Sequence, residues 1–104
     1  MQVQTNTDRS IDGSEALSSK VEAAVAGALG RFANQVTRVE VHLSDENRGK
    51  GGAADKRCMM EARVEGRPPT AVTHQAPTVE LAVDGAAAKL ANSIESTLGR
   101  LSSR

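Results

Sequence analysis

Asn47–Gly66, NRGKGGAADKRCMMEARVEG, decides the fold. Its first half places Gly49, Gly51 and Gly52 among Arg48 and Lys50, which is too much backbone freedom for a core element and reads as a basic loop. At about Lys56 the pattern changes to strict alternation. Cys58, Met60, Ala62 and Val64 fall on one face of a strand, and Arg57, Met59, Glu61, Arg63 and Glu65 on the other. The expected strand is Lys56–Glu65, one arm of a basic hairpin with Lys56 and Arg57 at its mouth.

Working back, Thr37–Leu43 alternates in the same way, with Val39, Val41 and Leu43 on one side and Arg38, Glu40 and His42 on the other. Before it, Leu17, Val21, Ala24, Val25, Ala28, Leu29 and Phe32 form a helical stripe over about Gly13–Phe32. Asp12 and Glu15 fit a capping box, with Ile11 as the staple residue facing Ala16. Met1–Thr5 reads as a first strand. A strand, a helix and a strand imply a right-handed crossover between parallel strands.

Working forward, Glu65–Pro69 is a turn, and Thr70–Gln75 is a short strand whose preceding prolines suit a sheet edge. Pro77 suits the first turn of a closing helix that runs to about Leu98. Its stripe is Val79, Val83, Ala86, Ala87, Leu90, Ile94, Leu98 and Leu101. Gly85 reads as a tolerated defect and Gly99 as a C-terminal cap. The expected architecture is a two-layer α/β sandwich of order β-α-β-β-β-α. Its four-stranded mixed sheet carries both helices on one face, as one domain over residues 1–101 with a tail at 102–104.

Composition narrows the function. Thirteen basic residues balance thirteen acidic ones, so a generic polyanion binder is excluded and any nucleic-acid contact needs local clusters. One cluster runs from Arg48 to Arg67, where six cations face three acids. Phe32 is the only aromatic residue besides the two histidines, which argues against base-stacking platforms. Residues 1–12 are polar, and no apolar run reaches the roughly 20 residues of a membrane span, so a cytoplasmic location is expected.

Cys58, His42 and His74 lie on three separate strands without ligand spacing, so no metal or other cofactor is expected. Cys58 reads as a small core residue and the histidines as solvated. No oxyanion hole or orienting third group accompanies a Cys–His pair, so no enzyme is expected. The Gly49–Gly52 loop lacks the Walker spacing. It still offers backbone N–H groups and two cations to RNA phosphates. The exposed sheet face carries both signs, Glu40, Glu61 and Glu65 with Arg38, Arg57 and Arg63, and cross-strand ion pairing is the plain reading of some of them.

The element order resembles the HPF/RaiA family of ribosome hibernation-promoting factors and ribosome-associated inhibitors. So do MQVQ at residues 1–4, TRVEVHLSDEN at 37–47, GKGGAADKRCMMEARVEG at 49–66 and HQAPTVELAVDGAAAKL at 74–90. The resemblance covers about Met1–Leu101 and is similar to the short, single-domain form. It implies a translation inhibitor bound to 16S rRNA in the mRNA and tRNA channel of the small subunit. The expected protein is a monomer, or a weak dimer, with no small-molecule substrate and no membrane partner.

Carried over by position, Lys89 matches a basic site of the second helix and Arg100 extends it. Lys20 and Arg31 are the cations of the first helix. With Lys56, Arg57, Arg48 and Lys50 of the hairpin they make up the expected RNA-binding set. Ala28, Asn92 and Ser96 stand where relatives carry further cations. That difference motivates the alternative of a stress-related, protein-binding regulatory module on the same fold. A continuous positive strip from the hairpin to Lys89 and Arg100 would favour RNA; a patchwork would favour a protein.

Overall fold

The computed structural model describes residues 1–8, 11–46 and 56–102, and of residues 100–102 the backbone alone. The elements are β1 (Gln2–Thr7), α1 (Glu15–Leu29), a 3-10 turn (Gly30–Phe32), β2 (Val36–Asp45), β3 (Lys56–Val64), β4 (Thr70–Ala76) and α2 (Val79–Ser102). The sheet order is β1-β2-β3-β4. β1 runs parallel to β2, and the other two pairs are antiparallel.

The alternation in β2 and β3 produces one apolar sheet face. Val39, Val41 and Leu43 pair with Ala62, Met60 and Cys58, and all six are buried. Val21, Val25 and Leu29 of α1 join the same cluster, as do Ala82, Val83, Ala86, Ala87, Leu90, Ala91 and Ile94 of α2. Both helices therefore cover one face, as the two apolar stripes require. Phe32, Val41, Met60, Leu90 and Ile94, which lie on the apolar stripes and strand faces read from the sequence, are all buried. Lys20 Nζ lies 3.5 Å from Glu80 Oε2, and Arg31 Nη2 lies 3.4 Å from Glu95 Oε2. These links join early turns to early turns and late to late, so the helices run side by side in the same direction.

The helix ends differ from expectation. The cap of α1 is Ser14, not Asp12: its backbone is extended, and its Oγ accepts the N–H of Leu17 at 3.1 Å. Glu15 thus occupies the first helical position, beside the positive end of the dipole. Ile11 is buried in the core while Ala16 is exposed, so the expected staple does not form. α2 is capped by Thr78, whose Oγ1 accepts the N–H of Leu81 at 3.1 Å, so Pro77 precedes the helix instead of starting it. Gly99 does not end α2, which continues to Ser102. A glycine cap needs positive φ, and among the described glycines only Gly66 has it, at 73°, in the β3–β4 turn.

Gly85 is a close approach, not a defect. A Cβ there would stand 2.0 Å from Cδ2 of His74. His74 is opposite Cys58, so it points from β4 toward the helix layer and packs half-buried on the backbone of α2; it is not solvated. A double-mutant cycle reads this contact. With His74→Ala in place, Gly85→Ala should stabilise the protein by up to about 1 kcal/mol through helix propensity. In the wild-type background the displaced ring should remove that gain or reverse it. Equal effects of Gly85→Ala in both backgrounds, in urea melts, would show that the contact carries no energy.

Candidate nucleic-acid interface

Lys56 and Arg57 were expected together at the mouth of a hairpin. Strand alternation sends them to opposite faces of the sheet. Lys56 turns to the helix side, where its Nζ lies 3.3 Å from Oδ2 of the buried Asp45. Arg57 turns to the open side, with its Nε 3.6 Å from Glu46 Oε1. Asp45 is anchored as well, because its backbone N–H donates to Asp8 Oδ2 at 3.2 Å. Lys56 is thus half-buried and structural, whereas Arg57 is a surface cation.

The helix cations are also engaged. Lys20 pairs with Glu80, whose carboxyl is held below its usual pKa by its own backbone N–H in the first turn of α2 and then by Lys20. Arg31 pairs with Glu95 and stacks its guanidinium 4.7 Å from the Phe32 ring centroid. Lys89 Nζ donates to the Thr73 carbonyl at 2.9 Å. β4 is an edge strand, so Lys89 occupies a backbone acceptor that another chain could otherwise use.

The candidates do not form one strip. Lys20 and Lys56 rim a groove floored by Ile11, Leu17 and Val79, with Asp12 and Glu80 beside them. That groove is at the start of α2. Arg31, beside Glu95, and the backbone of Arg100 are toward its other end, about 22 Å and about 30 Å away at about 1.5 Å per residue. Lys89 lies between, over the β4 edge. Arg48 and Lys50 lie outside the described residues, as does the Arg100 side chain.

The open face shows what the linear reading missed. Cross-strand pairing there is like against like: Arg38 is opposite Arg63, and Glu40 is opposite Glu61. The ion pair that forms is within β2, with Arg38 Nε 3.4 Å from Glu40 Oε2. His42 Nε2 lies 3.8 Å from the other oxygen of Glu40. Among the described residues, Arg63 and Arg67 have no carboxylate partner. The position of Arg63 opposite Arg38 depends on the β2–β3 register, which sequence spacing alone does not give.

Cys58 and His74 share the core face while His42 is on the open face, so the three cannot converge on one ion. Burial pushes the Cys58 thiol up to about 12, which leaves it neutral and unreactive at physiological pH. No helix among the described residues is long and apolar enough to cross a membrane.

The described residues thus form a two-layer sandwich with both helices on one sheet face and an arginine-bearing open face on the other. Residues 5–102 match the family of sigma 54 modulation protein / S30EA ribosomal protein, and the chain belongs to that family. No curated protein sequence matches the chain. Among solved structures, it is similar to the N-terminal domain of Thermus thermophilus Protein Y, at 18% identity and a TM-score of 0.75, over 93% of this chain and 99% of that one. It is also similar to a ribosomal subunit interface protein from Coxiella burnetii, at 14% identity and a TM-score of 0.74, over 95% of this chain and 99% of that one. These likenesses carry the fold; membership rests on the family match.

Proposed function

We propose that this protein is a ribosome-associated translation inhibitor of the cytoplasm. On this reading it binds 16S rRNA of the small subunit as a monomer, in the mRNA and tRNA channel, and acts by occupying space instead of by catalysis. The observation that carries the reading is the family match across residues 5–102. Affinity would come from cations on phosphates, since a folded RNA surface is recognised by shape and phosphate position.

Lys20, Arg31, Arg57 and Lys89 are exposed or half-exposed, and their partners are surface carboxylates or a carbonyl. Exposed pairs of this kind contribute little, so a phosphate can displace them. Lys56 differs, because it pairs with the buried Asp45 carboxylate, so removing it should weaken the fold itself. Arg48, Lys50 and Arg100 complete the proposed set.

Arg57→Ala and Lys89→Ala are therefore the clean tests. Each should weaken co-sedimentation with small subunits and flatten the slope of log affinity against log salt by about one unit. Cys58→Ala should leave binding unchanged. If neither Arg57→Ala nor Lys89→Ala changes co-sedimentation at low salt, these residues are not contacts. The internal pairing of every described candidate favours one second reading, a regulatory module with a protein partner. That reading predicts saturable binding to a protein, with no affinity for rRNA.

A further inference from the structure

We infer that the open sheet face carries a phosphate-binding site of its own, built on Arg38 and Arg63, and that its ligand is a backbone phosphate of RNA. The inference rests on the rRNA-binding reading and places a contact on the layer opposite the helices.

Four observations converge. Arg38 and Arg63 are directly opposed on neighbouring strands, so their Cβ atoms stand roughly 5 Å apart. Like charges in that position repel, and an anion between them removes the repulsion. Second, Arg63 is exposed and has no carboxylate partner among the described residues. Third, Arg38 is already oriented: Nη2 donates to Gln4 Oε1, and the buried Nε stands 3.4 Å from Glu40 Oε2 without a hydrogen bond, which leaves Nη1 and the second N–H of Nη2 as outward donors. Fourth, the two arginines line one depression with Gln2, Thr37 and Glu40.

The surrounding backbone is fixed. The Thr37 hydroxyl donates to the Arg63 carbonyl at 3.2 Å, and the strand register shifts between Val36 and Arg38 beside it. Such irregularities are common next to functional sites. Glu40 pairs with Arg38 and offsets part of its charge, so the forked donors of Arg63 are the main ones that remain for phosphate oxygens. Arginine suits this geometry because its planar fork can meet two oxygens at once. One face of the domain would then hold a phosphate through Arg38 and Arg63, while Lys20, Arg31 and Lys89 serve the helix layer and the β4 edge.

Two measurements on the full chain test this. The first is the salt dependence of co-sedimentation with small ribosomal subunits for wild type, Arg63→Gln and Arg63→Lys. Arg63→Gln should lower affinity roughly tenfold at low salt and flatten the salt slope by about one unit. Arg63→Lys should keep the slope while recovering only part of the affinity. If wild type sediments with subunits and Arg63→Gln behaves identically, the sheet-face site is refuted while the ribosome reading stands.

The second is NMR of the arginine side-chain Nε–H groups during titration with inorganic phosphate, which needs no ribosome and no variant. Saturable shifts confined to Arg38 and Arg63 support the site even if subunit binding fails. Uniform small shifts across all arginines overturn it.

Discussion

Leu90→Ala is expected to lower the stability of this domain by about 2–5 kcal/mol, toward the upper part of that range. Leu90 is fully buried in the middle of α2. Its neighbours along the helix stripe are Ala86, Ala87, Ala91 and Ile94, all buried, and the three alanines are too short to collapse into the space left behind. The cost of a truncation grows with the cavity that remains, so a site with alanines on one side is an expensive place for one. For a domain of this size the melting temperature should drop by on the order of 15 °C. Leu81→Ala is the matched control. Leu81 is 53% exposed on the same helix, and its loss should be within about 0.5 kcal/mol of neutral. Urea melts that place Leu90→Ala within 1 kcal/mol of wild type, an order-of-magnitude threshold set by the same series, would contradict the packing described here.

The second large effect is a loss of stability at high pH. In the folded protein the Cys58 thiol titrates at about 12 against a reference of 9.0, because burial disfavours the thiolate. Below the unfolded value both states hold the proton, and the stabilisation is fully present. Above it, the unfolded chain releases a proton that the folded chain keeps, so unfolding becomes progressively easier until the folded thiol also ionises. Between those values stability should fall by about 1.4 kcal/mol per pH unit on account of this one group. The readout is the difference between wild type and Cys58→Ala in urea midpoints from pH 8 to 11, which isolates this one group. The wild-type curve should be the steeper. Parallel curves would mean that the thiol reaches solvent. Native-state alkylation at pH 8 should also be negligible and should appear only when the protein is denatured.

The strands, the core and the layer arrangement were legible because apolar alternation and helical stripes are local patterns. Val39, Val41 and Leu43, or Cys58, Met60 and Ala62, declare their face within a few residues. Helix ends were less legible because Asp12 and Ser14 are both good caps, and only the chain path selects between them. Gly85 read as a defect because its reason is a ring on another element, His74.

The candidate site was the least legible part, for the same cause. Lys20 meets a carboxylate sixty residues away, and Arg31 meets one on the other helix. No sequence spacing announces such pairs. The period of two does announce that Lys56 and Arg57 face opposite ways, and reading them as one patch set that rule aside. In sequence, Arg38 and Arg63 read as ordinary ion-pairing positions. The antiparallel register instead sets them against each other, and among the described residues Arg63 has no acid partner.

The most direct test of ribosome association is co-sedimentation of the wild-type chain with purified small subunits across a salt series. The account predicts stoichiometric binding at low salt. It also predicts a linear fall of log affinity with log salt, at about −0.9 per phosphate contact on duplex-like RNA and about −0.7 on single strands. Failure to co-sediment at any salt, with the protein shown to be folded, would contradict it and leave the protein-partner reading in its place.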